Sequence, residues 1–240
     1  MNTVLLLAKR ELGYYLNTTW GYGILAIILM IDGILFNTFS MAEKRLSTEV
    51  LQQFFFFSSG TTMIAGVLIA MRLLSEERSN GTASILQTAP ISEAQIITGK
   101  YLGALGFLTL ITACTIYMPL LVEINGKVSW GHILSGYLGL FLLGAVSVAI
   151  GTLSSAIAKN QLFSALLGSS ILVMMLLGWL LGKKTEAPIS DIFSYIALFD
   201  KHFQPFMRGR INSEGIFFFL SVSLLFLLLA TRILQSRRIS

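Results

Sequence analysis

The sequence predicts an all-α polytopic membrane protein, and three observations carry that prediction. Only 12% of the 240 residues are charged and 55% are hydrophobic, whereas a typical soluble domain is roughly 25% charged and at most about half apolar. The mean hydropathy is +0.77. Apolar stretches of about 20 residues, each long enough to cross a hydrocarbon core as a helix, recur six times along the chain.

The opening stretch MNTVLLLAKRELGYYL sets its apolar residues ahead of Lys9 and Arg10 and shows no small-residue cleavage site, so it does not read as a secretory signal. It reads as an amphipathic helix over residues 1–18 lying on the inner membrane face, with Lys9 and Arg10 toward lipid headgroups. Spans are expected at residues 20–39, 54–74, 101–122, 133–157, 162–181 and 216–234. They make residues 1–240 one transmembrane domain with no room for a soluble one. Nine of the 17 Lys and Arg then lie on the side of the N-terminus and eight on the other, five of the eight in the loop 182–215. Short loops alone give nine against three, which places both termini in the cytoplasm. Arg72 is expected to snorkel to the inner headgroups.

The loop 182–215 is more than a linker. Ile192, Phe193, Ile196, Phe199 and Phe203 recur there at helical spacing, ahead of a break at Pro205. The pattern predicts an outer interfacial or re-entrant helix. Two readings stand for it, a lid packed over the bundle and a gate.

Between the second and third spans stands LSEERSNGTASILQTAPIS, residues 74–92, a polar insert in an apolar chain. Asn80 or Thr82 can cap a short helix through Gln87, because a side-chain oxygen satisfies the first free N–H groups. Pro90 disfavours helix at Ala89 and stops it there. Ser92 to Gln95 fits a capping box that opens the next helix. A bare connection needs no caps at both starts, so the segment 75–95 is built to hold a shape.

The residues Glu76-Glu77-Arg78, Gly81-Thr82 and Pro90-Ile91-Ser92 resemble the cytoplasmic loop after the second span in ABC transporter permeases of the ABC-2 export type. The resemblance implies a coupling helix that docks into a cleft of a separate ATPase chain. Its docking residues would be Glu76, Glu77, Arg78, Gly81, Thr82, Ile85, Leu86 and Pro90. That family usually carries an acid two residues after the Thr; Ser84 stands here, so one docking charge is missing. The stretch HFQPFMRGRINSEGIFFFLSVSLLFLLLATRILQSRR is similar to the end of the gliding-motility and nitrous-oxide-reductase-maturation branch of these permeases, with His-Phe, Arg-Gly-x-Ile and Ser-Arg-Arg in the same order. The resemblance thus implies a permease subunit of an export complex in the inner membrane. Its partners would be two copies of the ATPase and a second permease subunit, identical or homologous. The alternative is a mechanotransmitter that passes ATPase-driven motion to an outer-side partner protein without a transported substrate.

No G-x-x-x-x-G-K-[ST] loop occurs, so ATP and Mg are expected on the partner ATPase, with no cofactor on this chain. With only His132 and His202 and no H-E-x-x-H, neither a metal site nor a catalytic group is expected. The pI of 9.4 reads as loop-end charge rather than nucleic-acid binding. Asp32 is a functional candidate because an acid inside a span is costly; its other reading is a carboxylate near the outer third, reached by water or by Lys44 or Arg45. Ser58, Ser59, Thr61 and Thr62 line either a translocation path or a close-packed helix seam. With Asp32, Phe199 and Phe203 they make up the candidate path or gate. Gly99, Gly103 and Gly106, and Gly136, Gly139, Gly144 and Gly151, read as packing surfaces of the third and fourth spans.

Overall fold

A computed structural model describes residues 3–40, 46–81, 91–126, 128–184, 195 and 197–239. Every regular element among them is helical. Helix α1 is Thr3–Asn17 and α2 is Thr19–Leu35, which runs on as a wide π-type turn, Phe36–Ser40. Then come α3 (Ser47–Ala70), α4 (Ser75–Ser79), α5 (Glu93–Cys114), α6 (Tyr117–Asn125), α7 (Trp130–Ile157) and α8 (Gln161–Lys184). A second π-type turn, Leu198–Phe203, leads into α9 (Gln204–Met207), and α10 is Ser213–Ile239.

Six stretches are long and apolar enough to cross a membrane: Thr19–Ser40, Ser47–Ser79, Glu93–Ile124, Trp130–Ile157, Gln161–Gly178 and Ser213–Arg237. They coincide with the six expected spans, and the chain is a multi-pass membrane protein. The second begins earlier than its apolar pattern because Glu49, Gln52 and Gln53 extend the helix beyond the apolar run.

Helices α3 and α7 form the centre. Their most apolar windows are 72% and 78% buried, against 28%, 22% and 17% for the first, fifth and sixth spans. Small residues set that closeness, since a missing side chain lets backbones approach. A Cβ added at Gly66 would lie 2.8 Å from the Ser147 Cβ, and one at Gly151 would lie 2.5 Å from the Ala70 Cβ. At Gly144 it would meet Leu108 of α5 at 2.9 Å, and at Gly136 the Phe55 ring at 2.2 Å. The fourth-span glycines are therefore a packing surface.

The third span kinks between α5 and α6. Pro119 has no N–H to offer the Thr115 carbonyl, which instead accepts from Met118 N–H at 3.0 Å in a tighter turn. The kink turns the Thr115 hydroxyl to within 3.1 Å of the Tyr137 hydroxyl on α7.

One end of the bundle, here the N-terminal face, gathers α1, α4, the start of α5 and the ends of α7 and α10. The opposite face is covered by residues 197–209. There Leu198, Phe203 and Phe206 are wholly buried, Ser135 Oγ donates to the Phe206 carbonyl at 3.2 Å, and the His132 ring meets the Met207 carbonyl at 2.8 Å. Pro205 does not break this segment. It sits in the first turn of α9, and the preceding π-type turn, in which Gln204 N–H bonds the Phe199 carbonyl, carries the helix through it. Ile192, Phe193 and Ile196 lie outside the described residues.

His202 in this cover is buried, stacks on Phe218 at 3.6 Å and bonds the Tyr195 carbonyl through Nε2 at 2.9 Å. Its Nδ1 has no hydrogen-bond partner among the described residues. Burial pushes its pKa below the ordinary histidine value of about 6.5. Protonation therefore favours the unfolded chain: the His202 contribution is full above about pH 6.5 and is lost as pH falls toward the lower folded value. Thermal unfolding in detergent should show a Tm that drops across this window, and His202→Phe should flatten that dependence.

Candidate functional site

Helix α4 is where the second span turns toward the third. Its first free N–H groups are capped from α7: Ser155 Oγ accepts from Leu74 N–H at 2.9 Å and Ser75 N–H at 3.0 Å. Asn80 closes the helix through its N–H to the Glu76 carbonyl at 2.9 Å. Gly81 follows at φ +72°, a left-handed conformation that glycine adopts without steric cost.

Each charge of the Glu76-Glu77-Arg78 run is held inside the subunit. Glu76 pairs with Arg72 at 2.7 Å. Glu77 pairs with Lys100 at 2.8 Å. Arg78 donates to the carbonyls of Ala156, at 3.1 Å, and of Ala158. Arg237, from the end of α10, donates to the Ile157 carbonyl between them at 2.8 Å. Two guanidinium groups thus satisfy the last carbonyls of α7, where the helix dipole favours positive charge.

Arg72 does not snorkel. Its side chain is 8% exposed, and its guanidinium lies 3.8 Å from the centre of the Tyr14 ring. Helix α1 covers it, so the headgroups are out of reach and an aromatic face takes their place. Next to Tyr14, Tyr15 donates to the Ile69 carbonyl at 2.9 Å and stacks on Phe107 at 4.8 Å. Burial pushes its phenol well above the ordinary value.

Two residues of this face carried no signal of their own in the sequence, Glu11 and Lys100. Lys100 is 2% exposed and holds Glu11 at 2.8 Å. The nearest available clue was a lysine one position before an apolar helix run with a glycine on each near side, Gly99 and Gly103. A cleft of about 500 Å³ opens over these groups, lined among others by Arg10, Tyr14, Asn17, Arg72, Glu76 and Asn80.

Of the expected docking residues, Thr82, Ile85, Leu86 and Pro90 lie outside the described residues, as does the helix expected through Gln87. The capping box after them is present: Gln95 N–H donates to Ser92 Oγ at 3.3 Å, and Ser92 N–H donates to Gln95 Oε1 at 3.1 Å.

The second group of candidates lies within the spans. Asp32 is 5% exposed and accepts a hydrogen bond from Thr61 Oγ1 at 2.7 Å. Among the described residues neither Arg nor Lys pairs with it. Ser58, Ser59, Thr61 and Thr62 are all buried, and Ser59 Oγ bonds the Phe56 carbonyl of its own helix at 2.7 Å. Ser59 also borders an apolar cavity of about 450 Å³ between α3, α8 and the far-face cover, together with Phe56, Met63, Leu177 and Phe199. Phe199 stands 5.4 Å from Phe56 and 5.5 Å from Phe203. Of the α3 candidates Ser59 therefore meets Phe199 of the cover at this cavity, whereas Thr61 turns to Asp32 on α2.

A comparison with curated proteins gives no match. Against family models, residues 17–178 match the one described as ABC-2 family transporter protein. That stretch runs from the end of α1 through the α4 corner and five of the six spans, and this chain belongs to the ABC-2 family of ABC transporter permeases.

Proposed function

We propose that the chain couples ATP hydrolysis on a separate ATPase to movement of a substrate across the cytoplasmic membrane, and that the ATPase docks on residues 75–95. One observation supports this most. The root of that segment is tied to α1, α5 and α7 at once, through Arg10, Lys100, Ser155 and the Ala156 and Ala158 carbonyls. A segment anchored on three helices transmits a push instead of absorbing it. Two permease subunits would face two ATPase chains, which hold the ATP and Mg. Closure of the ATPases would tilt the second and third spans and switch access between the faces. On this reading the N-terminal face is cytoplasmic, and the branch is the gliding-motility and nitrous-oxide-reductase-maturation one.

Because Glu76, Glu77 and Arg78 are occupied within the subunit, the apolar residues Ile85 and Leu86 are assigned the contact with the ATPase groove. Leu86→Asp would set a carboxylate against that groove and should abolish ATPase co-purification while the permease still inserts with an unchanged Tm. Normal co-purification with Leu86→Asp would refute the docking assignment. A force-transmitting role without substrate draws support from the far-face cover, which is bonded to α7 through His132 and Ser135 and stacked on α10 through His202. Motion of those helices would reach an outer-side partner.

A further inference from the structure

An apolar groove lies between α2 and the end of α3, next to the polar cleft of the N-terminal face. It holds about 340 Å³ and is lined among others by Trp20, Gly23, Ile24, Ile27, Leu68 and Met71. Its walls run on into those of the cleft at two places in the chain: Thr19 of the groove follows Thr18 of the cleft, and Met71 of the groove precedes Arg72. We propose that groove and cleft together bind one phospholipid with a zwitterionic head, its acyl chain in the groove and its phosphate at the mouth of the cleft.

Place, length and shape point to a lipid chain as the occupant. The groove lies along the first ten residues of one membrane-spanning helix and the last turn of the next, at a depth where hydrocarbon is the solvent. From Thr19 to Ile28 an α-helix rises roughly 14 Å, and one leaflet of a hydrocarbon core is roughly 15 Å thick. Trp20 stands exposed at the end nearer the cleft, the level at which an indole ring sits among headgroups. Gly23 opens the groove. A Cβ added there would meet nothing within 4 Å, unlike one at Gly66 or Gly151, where another helix lies against the backbone. Gly23 therefore leaves a space that the subunit itself does not fill.

The cleft selects the head. Arg10, Arg72 and Lys100 line it together with Glu11, Glu76 and Glu77, so its charges balance. A head with net negative charge gains no net attraction there, whereas a zwitterion finds a partner for each end. Arg72 and Lys100 are held in internal pairs at 2.7 and 2.8 Å. Arg10 is 57% exposed and stands farther from its acids, at 3.3 and 3.6 Å, which makes its guanidinium the first contact for a phosphate. Asn17 gives one amide N–H to the Gly13 carbonyl at 2.7 Å and keeps the other. Thr18 Oγ1 accepts from Gly21 N–H at 3.4 Å, with its own proton left to donate. The tail adds little selectivity by its burial, because the surrounding lipid is equally apolar; the fit of the groove and the bonds of the head decide it.

Native mass spectrometry of the full chain released from detergent tests this, after incubation with phosphatidylethanolamine or phosphatidylglycerol of matched chains. The wild type should hold one phosphatidylethanolamine per chain, in preference to phosphatidylglycerol, and its Tm should rise when that lipid is added. Gly23→Leu fills the groove with its own side chain, and should lose the one-lipid peak while keeping at least the Tm of the lipid-free wild type. Gly131→Leu, equally free of contacts within 4 Å but at the opposite face, should retain the peak. Arg10→Gln changes an exposed side chain and should weaken retention without loss of fold, so it reads the head contact even if Gly23→Leu does not fold. Equal retention in Gly23→Leu and wild type overturns the groove, and unchanged retention in Arg10→Gln overturns the head contact. A preference for phosphatidylglycerol overturns the zwitterionic assignment, and loss of the peak in both glycine variants overturns a defined site. A wild-type dimer that carries no lipid and that Gly23→Leu splits would assign the groove to a second copy of the chain and overturn the lipid.

Discussion

Arg78→Glu should destabilise the permease itself, by about 2–4 kcal/mol, before any effect on a partner is reached. Two hydrogen bonds from a charged donor are lost, each worth about 1.5–3 kcal/mol when well shielded and less at this half-buried site. The new carboxylate also faces the carbonyl end of α7, a further cost of roughly 0.3–1 kcal/mol. For a chain of this size the fall in Tm should be roughly 5–15 °C. Arg237→Ala should cost less, since Arg237 is exposed and makes one such bond. An unchanged Tm in Arg78→Glu would mean that the α7 carbonyls are satisfied by water and that Arg78 is free for docking. The contrast with Leu86→Asp separates the roles: loss of ATPase with an intact Tm marks a contact residue, and loss of both marks an internal brace.

The brace was not legible in the sequence. Glu76-Glu77-Arg78 reads as an exposed docking corner because loop charges ordinarily face water or a partner. The partners of Arg78 are carbonyls 78 and 80 positions away, and a carbonyl carries no residue identity to read. Lys100 suffered similarly. Counting lysines at span ends assigns it to the headgroups, and nothing in the sequence announces that Glu11, 89 positions earlier, folds back over it. Arg72 was misplaced for the same reason, since Tyr14 reaches it from the same helix.

Local signals fared better. The six apolar stretches became six helices, because length and hydropathy alone decide them. The Ser92–Gln95 box formed because its bonds close within four residues. Pro205 is the local rule that failed, since the preceding π-type turn absorbs the missing donor and the helical segment runs on from Leu198 to Met207. Six of the seven span glycines sit at close approaches, because a bare backbone has little use in a span other than close approach; at Gly106 an added Cβ would meet nothing nearer than Leu12 at 3.8 Å.

Asp32→Asn should move stability and activity in opposite directions. A carboxyl at a 5%-exposed position, with Thr61 as its bonded neighbour at 2.7 Å and no cation beside it among the described residues, is expensive to keep inside a span. The amide retains an oxygen for Thr61 and drops the charge, so the Tm should rise, by the equivalent of about 1–3 kcal/mol. If the acid serves the transport cycle, the permease-dependent ATPase rate of the assembled complex should fall about tenfold or more, a difference of about 1.4 kcal/mol. A cost in stability kept at a position where its removal also lowers activity is what a functional group in a strained place looks like. Asp32→Leu, which also removes the oxygen for Thr61, should fall at least as far in rate but gain less in Tm, because the Thr61 hydroxyl then has only the Ser58 carbonyl, 3.1 Å away, to bond. A variant Asp32→Asn with wild-type rate would return the residue to a structural role at the seam between α2 and α3.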